Sequence, residues 1–173
     1  DNVIVTVNPI PVLTITPSVT SGCAPLCVDF TGTSVPASVD CDWIFSNGMI
    51  TNNDCTPTNI CFQNAGQYGA DLTVTDVNGC TNTATVNVSQ SNVTAAFTAS
   101  PVSGTAPLDV NFNNQSTGAT TYSWNFGDVT SLNNTSGLQN PPLHTYNTVG
   151  NYIVTLVTSN GSCSSTATLS IEV

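Results

Sequence analysis

The chain carries one pattern twice. Ser123-Trp124-Asn125-Phe126-Gly127-Asp128 is followed by His144-Thr145-Tyr146, then by Gly150-Asn151-Tyr152 and an apolar run. A looser copy lies upstream: Asp42-Trp43-Ile44-Phe45-Ser46-Asn47-Gly48, then Cys61-Phe62, then Gly66-Gln67-Tyr68. A repeat of this period constrains the fold more than any single residue, because each copy has to close a core of its own. The expected division is a terminal strand over 1–10, a first domain over 11–89 and a second over 90–173. Domains this small bury a modest share of their surface and often need reinforcement.

Alternation dominates and helical periodicity is missing. Val3-Ile4-Val5-Thr6-Val7, Thr83-Ala84-Thr85-Val86-Asn87-Val88 and Thr166-Ala167-Thr168-Leu169-Ser170-Ile171 read as half-buried, β-branched strands. Asn47-Gly48, Asn78-Gly79 and Asn160-Gly161 suit the positive φ of tight hairpins. Short strands between such turns indicate an all-β sandwich. The first of the three strands has no domain before it. It is expected to be the last strand of a preceding repeat, or to pair with the edge of a neighbouring domain. Asp1 opens directly into that strand with no signal peptide, so the chain reads as a processed or excised piece of something longer.

The repeated pattern resembles the PKD domain, an immunoglobulin-like β-sandwich found mostly in extracellular proteins. The resemblance covers nearly the whole chain and implies tandem immunoglobulin-like sandwiches. It places Trp124, Tyr146 and Tyr152 in one core and Trp43, Phe62 and Tyr68 in the other. Gly22-Cys23-Ala24-Pro25 and Asn78-Gly79-Cys80 look most like PKD repeats of giant Bacteroidota surface proteins. Such repeats recur there in adhesins of gliding motility and type IX secretion.

Seven cysteines occur, and all but Cys163 fall in the first copy. A small, cysteine-rich β domain points to an oxidising compartment. Spacing alone leaves many pairings open. The similar bacterial repeats imply a staple between Cys23 and Cys80 across the domain end. Cys41 leads into Trp43 and Cys55 lies beyond the following loop, which suggests a bridge closing that loop. Cys27 and Cys61 remain. Each precedes an inward residue, Val28 and Phe62, so both point outward from strands that neighbour each other in such a sandwich. Cys163 occupies the position of Cys80 with Thr105 in place of a partner, and is expected as a buried free thiol or as an intermolecular link to another chain or domain. The spacings fit no zinc finger.

The chain has no Lys or Arg, ten acidic residues and one His, for a net charge of −10. An electrostatic hold on nucleic acid or on anionic lipid is therefore excluded. Proteases that require a basic residue find no cleavage site. No apolar run is long enough to span a membrane.

Catalysis has little to stand on. His144 is the lone conventional base and falls in the PKD His-x-Tyr pattern, where the resemblance implies packing. No catalytic residue and no cofactor is expected, calcium apart. Asp40, Asp42 and Asp54 cluster with Asn47, Asn52 and Asn53 near one end of the first copy. Hard oxygen ligands on loops suit a weak calcium site, against the plainer reading of solvated loops. Sequons at Asn92, Asn114 and Asn133 offer glycan attachment. The expectation is a non-catalytic, stiff repeat segment of an extracellular adhesin or filament, partnered by neighbouring repeats or identical chains. The alternative is a module that binds a surface polysaccharide, glycan or protein for a secreted enzyme.

Overall fold

A computed structural model describes residues 7–173. The expected terminal strand over residues 1–10 falls mostly outside them. The chain divides into two compact units between Gln90 and Ser91.

Unit 1 contains β1 (Val12–Pro17), β2 (Ser21–Cys23), β3 (Leu26–Val28), β4 (Phe30–Val35), β5 (Ser38–Phe45), β6 (Ile50–Thr51), β7 (Ile60–Phe62), β8 (Gly66–Asp76) and β9 (Thr81–Ser91, whose last residue crosses the boundary). One sheet runs β2-β9-β8-β5-β6, opposed by the ribbons β1-β4 and β3-β7. Along β5 and β8 every second residue is buried: Cys41, Trp43 and Phe45 lie beside Val74, Leu72 and Ala70. This is the two-residue period that the alternating sequence dictates. Phe30 tilts against both Trp43 and Phe45, with ring centroids 5.6 and 5.2 Å apart. Such pairs add about 0.5–1.5 kcal/mol beyond area burial.

Unit 2 contains β10 (Phe97–Ser100), β11 (Leu108–Asn114), β12 (Thr121–Asn125), β13 (Thr135–Ser136), β14 (His144–Tyr146), β15 (Asn151–Ser159) and β16 (Ser164–Glu172). The sheets are β10-β11-β14 and β13-β12-β15-β16. Val110, Phe112, Trp124, Phe126, Tyr146, Val154, Leu156 and Ile171 fill the space between them. The expected strands 83–88 and 166–171 lie inside β9 and β16.

Both tryptophans sit at 0 % exposure and donate their indole N–H to a loop carbonyl: Trp43 to Asp54 O at 2.8 Å, Trp124 to Leu138 O at 2.9 Å. A buried indole needs that acceptor. A tyrosine closes one corner of each unit by reaching four residues back. Tyr68 Oη donates to Asn64 O at 2.8 Å and Tyr152 Oη to Thr148 O at 2.8 Å. Tyr152 is buried, whereas Tyr68 is only half-buried and stacks on Phe62 at 4.5 Å. In the turn after β12, Gly127 takes φ +77° and a Cβ there would lie 2.7 Å from Ile153 O. Only glycine fits.

Candidate functional site

Two groups of side chains carry chemistry: the cysteines and carboxylates of unit 1, and a buried polar cluster around the single histidine in unit 2.

In unit 1, Cys27 and Cys61 are exact cross-strand partners between β3 and β7, with Cα atoms 4.0 Å apart and sulfurs bonded. Cys41 is bonded to Cys55, with Cα atoms 5.1 Å apart. That bridge closes the loop over Trp43, and Asp54 N donates to Cys41 O at 3.1 Å beside it. The Cys23–Cys80 staple is not formed: Cys80 is a half-buried free thiol. The reason is strand length. Cys80 sits in the β8–β9 turn, where Asp76 N donates to Cys80 O. Cys23 ends β2, and Thr20, just before β2, accepts from Ser89 N at the other end of β9. Nine residues of extended strand cover about 30 Å, so the two cysteines belong to opposite ends of the unit. The free-thiol expectation for Cys163 is corrected as well, since neither Cys23 nor Cys163 is a free thiol. Cys163 is buried, and its Sγ lies 3.1 Å from Ser91 Oγ.

With no lysine or arginine available, carboxylates are held by backbone N–H groups and threonine hydroxyls. Asp42 Oδ1 accepts from Asn53 N at 3.3 Å, Asp54 Oδ1 from Thr56 N at 2.9 Å, and Asp29 Oδ1 from Asn59 N at 2.7 Å. Asp76, only 1 % exposed, accepts from Asn78 N and Cys80 N through Oδ1 while its Oδ2 has no partner. Asp54 and Asp76, bonded to the N–H two residues on, form Asx-type turns, in which a short side chain replaces a backbone acceptor, whereas Asp42 and Asp29 reach across loops. Asp40 lies on β5 with Oδ1 unpartnered. Asp40, Asp42 and Asp54 are not brought together: among the described residues no group of three or more His, Cys, Asp or Glu is placed to hold a metal ion. Asp42 and Asp54 each accept from a backbone N–H instead, of Asn53 and Thr56.

In unit 2, His144 is 4 % exposed, stacked on Phe126 at 4.6 Å and edge-on to Tyr146 at 4.6 Å. Its Nε2 lies 3.5 Å from Asp128 Oδ2. Asp128 is itself buried and accepts from Thr130 N and Thr130 Oγ1 through Oδ1. Burial pushes the His144 pKa below its ordinary value, and outweighs the opposing pull of the Asp128 hydrogen bond and charge. Burial likewise raises the Tyr146 phenol, helped by the nearby Asp128 charge. Tyr146 Oη donates to Phe126 O at 2.9 Å, so the phenol is anchored. His144, Asp128 and Tyr146 are thus all buried, with the imidazole packed between two rings.

Asn92 and Asn133 are exposed and Asn114 is half-buried, its Nδ2 donating to Gln139 O at 2.9 Å. Sequence reasoning missed the Asp128–His144 pairing, the turn role of Asp54 and the cross-loop bond of Asp29. The signal for Asp54 was there in Asp54-x-Thr56, the spacing of an Asx turn.

Residues 92–173 match the PKD domain family. A solution NMR structure of a Methanosarcina mazei protein is 40% identical over 46% of this chain, with a TM-score of 0.37. The chain spans about half the length of that protein, covering 52% of it. Fibronectin(III)-like modules of Clostridium thermocellum CbhA are 12% identical over 92% of this chain and 94% of theirs, with a TM-score of 0.42. A C-terminal intimin fragment, solved with the intimin-binding domain of its translocated receptor, is 15% identical over 93% of this chain and 64% of its own, with a TM-score of 0.51. No curated protein matches the sequence. The fold is the immunoglobulin-like β-sandwich, and domains of this kind are typically non-catalytic modules.

Proposed function

We propose that the chain is a load-bearing, non-catalytic segment of an extracellular adhesin or filament, of the kind assembled from PKD repeats on Bacteroidota surfaces. The observation that carries this reading is the hold on the last strand of unit 2. Ser103 pairs with Glu172 in parallel. Glu172 N donates to Val102 O at 3.0 Å, and Gly104 N donates to Glu172 O at 3.1 Å. Tension applied ahead of Val102 and beyond Glu172 pulls parallel neighbours in opposite directions. Their hydrogen bonds are then loaded together in shear, and do not open one at a time.

Unit 1 adds covalent locks. The segments 27–61 and 41–55 cannot extend past their sulfurs, and disulfides persist in oxidising, extracellular settings. The partners in this reading are neighbouring repeats of the same protein or identical chains in a fibre. Electron microscopy of the chain in non-reducing buffer tests it. Regular fibres are expected, and particles that stay single chains would contradict the filament.

A second reading, a protein-binding module, is favoured by one surface feature. Ile44 and Ile50 are cross-strand partners on β5 and β6, 56% and 63% exposed. The intimin fragment of similar fold was solved bound to a receptor domain. A polysaccharide is less suited, because both tryptophans are buried and stacking platforms need exposed rings. Binding on a glycan array would reverse that ranking.

A further inference from the structure

We propose that Asn78-Gly79 is a self-acting modification site, at which the asparagine amide is converted to aspartate or isoaspartate, and that this conversion releases the Cys80 thiol. The chain has Asn-Gly at Asn47, Asn78 and Asn160, each with its glycine at positive φ in a turn. The chemistry requires the side-chain carbonyl carbon to meet the next backbone nitrogen. Gly79 N attacks Asn78 Cγ, the N–Cγ bond forms, and the Cγ–Nδ2 bond breaks. Ammonia leaves with the glycine amide proton, and water then opens the five-membered imide on either side.

Two of the three asparagines are restrained against it. Asn47 Nδ2 donates to Cys61 O at 3.1 Å while its Oδ1 accepts from Met49 N at 3.0 Å. Asn160 Oδ1 accepts from Ser162 N at 3.2 Å and Cys163 N at 2.9 Å, and the residue is half-buried. Asn78 is exposed and its side chain makes no hydrogen bond among the described residues, and Gly79 stands in open space. Gly79 N does donate to Asp76 O at 3.0 Å, but Gly48 N makes the same bond to Phe45 O at 2.9 Å. That restraint does not distinguish the two.

The consequence follows from Asp76. Its Oδ1 grips both Asn78 N and Cys80 N at 2.8 Å, and this grip fixes the turn that keeps Cys80 half-buried. Conversion adds a carboxylate two residues from the buried Asp76. The isoaspartyl form also inserts a methylene into the backbone between Asn78 and Gly79. Both changes oppose the grip.

The test ages the intact, oxidised chain in mildly alkaline buffer and follows each site by chymotryptic peptide mass spectrometry. Asn78 is expected to convert about tenfold faster than Asn47 or Asn160, the factor equivalent to about 1.4 kcal/mol. Equal rates in the folded chain would overturn the proposal. So would a tenfold spread that persists in denaturant, since local sequence and not the fold would then set the ranking. Labelling of Cys80 by a thiol reagent should accelerate several-fold after conversion and stay at its original rate in an Asn78→Gln variant. Unchanged labelling of the aged protein would overturn the link to Cys80.

Discussion

Cys27 on β3 and Cys61 on β7 stand opposite each other and are bonded, and unit 2 holds a hydrogen bond at the corresponding place. Leu26, Cys27 and Val28 pair with Phe62, Cys61 and Ile60. Leu108, Asp109 and Val110 pair with Tyr146, Thr145 and His144 in the same order. Thr145 Oγ1 donates to Asp109 Oδ1 at 2.6 Å. One outward-facing cross-strand position is closed by sulfur in one unit and by a charge-assisted hydrogen bond in the other.

Replacing Cys27 and Cys61 together by serine should lower the stability of unit 1 by about 2–4 kcal/mol. The bridge spans 34 residues, against 14 for Cys41–Cys55. Its loss should therefore cost about 0.8 kcal/mol more than the loss of Cys41–Cys55 on loop-closure entropy alone. Denaturant unfolding of the two double variants checks the order.

The reverse graft should work. Asp109→Cys with Thr145→Cys places two thiols where unit 1 carries a disulfide, so a bond is expected to form in air. Oxidised unit 2 should gain about 2–4 kcal/mol over the reduced double variant. Mass spectrometry and thermal unfolding with and without reductant read both outcomes.

Tyr152→Phe removes the donor to Thr148 O and the partner of Thr148 Oγ1, 2.7 Å away. A loss of about 1–2 kcal/mol in unit 2 is expected. Tyr68→Phe loses a bond in a more exposed corner and should cost less.

His144 gives unit 2 a pH dependence of known sign. Its pKa in the fold is below the unfolded value, so the unfolded chain takes up the proton first and stability rises with pH. The contribution is complete above the unfolded value of about 6.5 and is lost as pH falls through the folded pKa. The melting temperature of unit 2 should drop as pH is lowered from about 7 to 5.5, ahead of the carboxylates. His144→Phe should remove the slope in that window, because the chain has no other histidine.

The β-sandwich was legible because its period is two and its turns are Asn-Gly, and both survive without tertiary context. Trp43 and Trp124 announced the cores, but their indole acceptors, Asp54 O and Leu138 O, lie on loops whose paths no periodicity encodes. Cys80 misled for a related reason. Its place after Asn78-Gly79 is clear in the sequence, but the end of β9 beside which Cys23 lies is set by sheet pairing. The acidic stretch was legible only in part: Asp54 accepts from Thr56 N two residues on, a spacing the sequence carries, whereas Asp42 accepts from Asn53 N across a loop, which it does not.

Single-molecule extension of the chain, held by its two ends, tests load bearing most directly. In oxidising buffer unit 2 should resist until its terminal strands shear in one event, and unit 1 should release a length shortened by the 27–61 lock, inside which the 41–55 lock is nested. Reductant should restore the full length of unit 1. Gradual opening of unit 2 at low force, with no discrete rupture, would contradict the account.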